Sequence, residues 1–190
     1  MRYIFLSIVC LTCWTCQAKA AIVTEYTNKA AWQAAVGSYS TIDFTGFAHG
    51  TTLNTQYAES HGVTFIGTNN IVHTSSFLND GEGVRGQPES RFVFSTPRHS
   101  VAVDFPGQAI YKLYYSGVLV YTSNPHWAPV GGGGFYGLVS DTLFDEVVVY
   151  RNTGNPAFYD DLHFGPPIPA PGALGVFALA AFGCRRRRRS

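Results

Sequence analysis

A chain of 190 residues has room for one domain and little else. With 46% hydrophobic and only 13% charged residues, it is too apolar to stay disordered. Its formal charge of +1 conceals an uneven distribution: residues 21–165 hold all 12 acidic residues and six of the 13 basic ones, a net charge of −6, which excludes the basic face of a nucleic-acid binder.

Residues 1–20 read as a secretory signal peptide. Arg2 supplies a positive start, residues 3–14 (YIFLSIVCLTCW) an apolar run, and Ala18-Lys19-Ala20 a small-x-small cleavage site. Signal peptidase is expected to cut after Ala20. Cys10, Cys13 and Cys16 lie in this segment and Cys184 near the other end, so residues 21–165 contain no cysteine. Disulfides are permitted outside the cytoplasm but are not used in this body. A domain of this size buries enough apolar surface to stand without them.

The body, residues 21–165, opens with one predicted helix, KAAWQAAV, which Thr27 or Asn28 can cap and Gly37 can stop. Ala31, Trp32, Ala35 and Val36 form its apolar stripe, and the helix is expected against one edge of a larger structure. Short strands follow, broken by Gly, Pro, Asn and Ser: residues 40–44, 62–66, 71–74, 91–95, 100–105, 110–115, 118–122, 134–139, 144–151 and 157–164. In SVAVDF, Val101, Val103 and Phe105 share one face, and Ser100, Ala102 and Asp104 the other, the alternation of a half-buried antiparallel strand. YKLYYSGVLVYT reads as a hairpin turning at Ser116-Gly117. Segments 79–90 and 124–134 read as long loops. The expected fold is all-β, an antiparallel two-sheet sandwich of jelly-roll type with one short N-terminal helix.

Two places in the body carry candidate chemistry. Trp127 sits in a Pro/Gly loop (NPHWAPVGGGG), where no strand needs a large aromatic. It is either a platform for the C–H face of a sugar or a lid folded over the end of the sheets. Tyr121 and Tyr136, near in sequence, would add a polar edge. In FYDDLHF, strand alternation puts Phe158, Asp160, Leu162 and Phe164 on one face and Tyr159, Asp161 and His163 on the other. Asp160 would then be a carboxylate among aromatics, which needs backbone N–H groups, a basic side chain or a cation. Either it ties down a loop or it helps to hold Ca²⁺, which takes six to eight oxygens. The six histidines show no zinc-ligand spacing, and no Gly-x-Ser-x-Gly elbow occurs. Asp145 and Glu146 are adjacent on a strand and point to opposite faces, so they are not by themselves a glycosidase pair.

Residues 166–190 (PPIPAPGALGVFALAAFGCRRRRRS) do not look like the end of a folded domain. Residues 172–184 run 13 residues without a charge, about 20 Å as a helix, a marginal transmembrane span for a hydrocarbon core of about 30 Å. The arginines after it should stay on the cytoplasmic side, leaving the body outside.

Pro169-Ala170-Pro171, a short apolar helix at 172–184 and the cluster Arg185, Arg186, Arg187, Arg188 and Arg189 together resemble the PEP-CTERM sorting signal. Ala170 stands where that family usually has Glu. The resemblance implies that an exosortase, a membrane transpeptidase with a cysteine nucleophile, cuts near the motif and passes the protein outward. A Pro-x-Pro segment is extended, as a transpeptidase substrate must be. The body similarly resembles the lectin-like sandwich modules that often precede such tails, through TEYTNKAAWQAAVGSYSTIDFTGF, HGVTFIG, SVAVDF, FYGLVSDTLFDEVVVY and FYDDLHFG in order. Together these imply an exported protein, anchored transiently in the membrane, then placed at the cell surface or in the extracellular matrix. Its body is expected to be structural or polysaccharide-binding and not an enzyme. The competing expectation is an extracellular hydrolase acting on polysaccharide, which needs two carboxyl groups about 5–10 Å apart across a groove.

Overall fold

Short-range chemistry sets the first elements. Strand β1 (Val23–Tyr26) leads into helix α1 (Lys29–Val36), where the Asn28 side chain accepts a hydrogen bond from the Ala31 N–H and the Gly37 N–H closes the last turn on the Gln33 carbonyl. The computed structural model describes residues 21–78, 81–129 and 133–166. The signal peptide and the tail, with Pro169, Ala170, Pro171, the 172–184 span and the five arginines, lie outside the described residues.

After β2 (Ser40–Ile42) comes a second, one-turn helix, α2 (Ala58–His61), that the sequence did not suggest. Strands β3 (Val63–Phe65), β4 (Asn70–Thr74) and β5 (Glu82–Gly86) follow, then the 17-residue β6 (Glu89–Phe105). Strand β7 (Gly107–Tyr115) turns into β8 (Val118–Thr122), and β9 (His126–Ala128) precedes a second 17-residue strand, β10 (Gly134–Tyr150). The chain finishes with β11 (Ala157–Tyr159) and β12 (Leu162–Phe164). The β7–β8 turn forms at Ser116-Gly117 as expected. Both residues have positive φ (50° and 77°), the geometry of a two-residue turn that matches strand twist.

The architecture is mostly β and antiparallel. One nine-stranded sheet runs β2-β12-β6-β10-β7-β8, with β1 on β10, β3 on β6 and β9 on β7; β11, β5 and β4 form a three-stranded sheet. Strands 91–95 and 100–105 of the sequence reading are one strand, β6, and 134–139 and 144–151 are one strand, β10. Their common ladder runs from Gly134↔Phe105 to Val139↔Ser100, shifts register around Phe144, and resumes from Glu146↔Val93 to Tyr150↔Glu89. One end of that ladder carries β1 and β12, the other β3 and β7. The irregular stretch therefore re-aims both strands without ending them, as β-bulges do. Side chains from both ends meet in one core, including Val101, Val103, Tyr136, Leu138, Phe92, Val147 and Leu113.

Other departures have plain causes. Segment 79–90 contains β5, and 124–134 contains β9. Residues 100–105 are buried on both faces, because α1 lies over the sheet face and not at an edge: Trp32 packs with Ala102 and Phe135. The single strand expected at 157–164 is two strands in different sheets, broken at Asp160-Asp161. The crossing resets the alternation, so Phe158 is half-buried while Tyr159, Asp160, Leu162 and His163 are all buried. Among the described residues, no helix is long and apolar enough to cross a membrane.

Candidate functional site

Helix α1 and strand β9 stand on either side of an open cleft of about 440 Å³ at the Gly134 end of β10. Thr27, Asn28 and Lys29 line it from the start of α1, His126, Trp127 and Ala128 from β9, and Asp104 from the end of β6. β9 is held by pairing with β7, Gln108 opposite Trp127. Gly134 lets β9 lie close to β10, since a Cβ there would sit 2.1 Å from the Ala128 Cβ. Trp127 is 59% exposed, so its indole is a surface ring at the cleft and not a lid pressed onto the sheets.

Next to the cleft is a charged cluster. The Lys29 ammonium lies 2.6 Å from Asp104 Oδ2 and 3.8 Å from Asp161 Oδ2. His163 Nε2 lies 2.9 Å from the same Asp104 oxygen, and its Nδ1 lies 2.8 Å from Thr41 Oγ1 on the neighbouring strand. A carboxylate only accepts, so Nε2 carries the proton, and in the neutral ring Nδ1 accepts from the Thr41 hydroxyl. The backbone repeats the clasp: Asp104 N–H donates to the Asp161 carbonyl (3.1 Å), and Asp160 N–H to the Asp104 carbonyl (2.7 Å). Burial alone would raise the Asp104 carboxyl, but the hydrogen bonds from His163 and Lys29 and the Lys29 charge outweigh it and hold it below the ordinary carboxylate value. Asp104 is thus a fixed anion with a half-exposed cation on top of it.

Asp104, Asp161 and His163 place one ligand atom each within 4.8 Å of one another, which is the spacing of a metal-binding group. Lys29 already lies on two of these carboxylates, and an imidazole nitrogen suits a transition metal rather than Ca²⁺. Asp160, the sequence's candidate for Ca²⁺, is buried beside the group but is not a member of it.

The three aromatic residues suggested by the sequence do not form one platform. Tyr136 is 1% exposed; its ring packs on Tyr111 and His126, and its hydroxyl donates to the Asn124 carbonyl. Tyr121 lies in β8 and donates to Glu25 Oε1 at 2.6 Å; burial and that carboxylate push its phenol well above the ordinary tyrosine value. Neither lines the cleft. Asp104 is the one carboxylate among the described lining residues, and it is engaged by Lys29 and His163.

The chain matches no family model and no curated protein. A solved structure of a mutant family 29 carbohydrate-binding module aligns at 13% identity with a TM-score of 0.46, over 70% of this chain and 99% of that one.

Proposed function

We propose that the body is a polysaccharide-binding module, a jelly-roll-like sandwich whose larger sheet is centred on β6 and β10. The carrying observation is the 59% exposed Trp127 indole at the side of a polar cleft. An aromatic face takes the apolar C–H side of a sugar ring, while Lys29 and Asn28 offer groups to its hydroxyls. Binding is favoured over hydrolysis because Asp104 is neutralised in place, and glycosidic cleavage needs a second, freely acting carboxyl group. Thr41, the hydroxyl on His163, is not among the residues that line the cleft.

The full chain and its Trp127→Ala variant should be compared on a glycan array and by calorimetry on the best hit. The variant should bind about tenfold or more weakly, a loss of about 1.4 kcal/mol, with its melting temperature unchanged because the ring is exposed. Equal binding by both chains, or no glycan bound by either, would sink this reading.

The tail supports a second part of the proposal, that the protein is exported, held briefly in the membrane, and released to the surface by an exosortase-like enzyme at Pro169-Ala170-Pro171. A C-terminal tag should disappear in cells that carry such an enzyme. Export with the tag still attached would count against it.

A further inference from the structure

A second, smaller pocket of about 190 Å³ is walled by Phe77, Phe158, Pro106, Gly107 and Arg151. The Phe77 and Phe158 rings meet edge-on, 5.2 Å apart at 84°, and His73 packs against both at 5.8 and 5.1 Å. The Arg151 guanidinium lies face-on over Gly107: a Cβ at that glycine would be 3.7, 3.7 and 3.8 Å from Cζ, Nη1 and Nη2. Near-equal separations place that Cβ position over the face of the guanidinium. The guanidinium's donors are poorly used. Nη1 reaches the Pro156 carbonyl at 3.4 Å, and the buried Nε has no hydrogen-bond partner. Among the described residues the ion-paired cations are Lys29, Arg91 and His163, and no described carboxylate forms an ion pair with Arg151.

We propose that this pocket is a subsite for an acidic sugar, with a uronate carboxylate on the edge of Arg151 and the sugar ring against Phe77 and Phe158. It rests on the polysaccharide-binding reading above and names the class of chain bound. Guanidinium matches carboxylate in a bidentate fork, and phenyl walls require an apolar ring face beside the charge, which an inorganic anion lacks. The pocket adjoins the Trp127 cleft: Gly107 in its wall pairs with Ala128 in the wall of the cleft.

The test uses the full chain in calorimetry with tetramers of galacturonate and of mannuronate, each beside its neutral methyl ester. One of the acids should bind about tenfold tighter than its own ester. Arg151→Gln should bring the acid to the affinity of the ester while leaving ester binding unchanged, which also reports that the variant is folded. Arg151→Lys should retain part of the preference. Equal affinity for acid and ester, or an acid preference that survives Arg151→Gln, overturns this inference and leaves the Trp127 cleft standing. Failure of every acid tetramer to bind also overturns it. The cleft falls separately, on the glycan array, if Trp127→Ala changes nothing.

Discussion

Trp32→Ala should destabilise the body by about 4 kcal/mol, within the range for large aromatic deletions from a core. The indole is fully buried, its N–H donates to the Leu138 carbonyl at 3.2 Å, and its ring packs against Tyr39, Phe135 and His163. Of the other apolar residues of α1, Val36 packs partly buried against the same cluster, while Ala31 and Ala35 are exposed. The ring also lies on Gly137, where a Cβ would stand 2.5 Å from Trp32 Cδ1 and 2.9 Å from Phe135 Cε1. Gly137→Ala should therefore cost about 1–3 kcal/mol in the intact protein through overpacking. Without the indole most of that clash is gone, so the double variant should be more stable than the sum of the single losses by about 1–2 kcal/mol, as touching residues are coupled. Urea midpoints and slopes for the four proteins give the cycle directly. Additivity to within about 0.5 kcal/mol would refute the claim that the helix is seated by this contact.

Other outcomes follow from the cleft. The folded Asp104 carboxyl lies below its unfolded value of about 3.9. Its stabilising contribution is therefore complete above that pH and is lost as pH falls through the lower folded value. Asp104→Asn should lower the urea midpoint near neutral pH and flatten the acid decline below about pH 4; identical acid slopes in both proteins would contradict this. Gly134→Ala should push β9 off β10 and weaken glycan binding through Trp127, and adding Ala128→Gly should restore it, since the collision is between those two Cβ positions. Loss of binding that Ala128→Gly leaves unrepaired would mean that Gly134 acts otherwise.

Local pattern carried the mostly-β reading, the N-terminal helix with its cap at Thr27 or Asn28, and the Ser116-Gly117 turn, because each depends on residues a few positions apart. It could not reveal that β6 and β10 continue through their irregular middles, since a bulge and a loop both interrupt alternation. The exposure of Trp127 was legible in the sequence, but its place was not: it stands in β9, paired with β7, and not in a Pro/Gly loop. Tyr121 and Tyr136 were grouped with it by closeness in sequence, which says nothing once the chain folds into neighbouring strands. The Asp104–His163–Lys29 cluster joins residues 59 and 75 positions apart. Asp104 was readable only as the polar face of a strand. The burial of Asp160 agrees with the alternation read from its aromatic neighbours, whereas the burial of His163 does not, because the chain changes sheets at Asp160-Asp161.

The two long strands also divide the molecule by lifetime. Amides along the shared β6–β10 ladder open only when the whole body opens, so their hydrogen exchange should report global stability. Trp127 hangs from a three-residue pairing between β9 and β7. Its amides should exchange orders of magnitude sooner, by local opening of a small unit. A bound sugar would first slow exchange there, quieting the recognition strand while the frame behind it keeps its own clock.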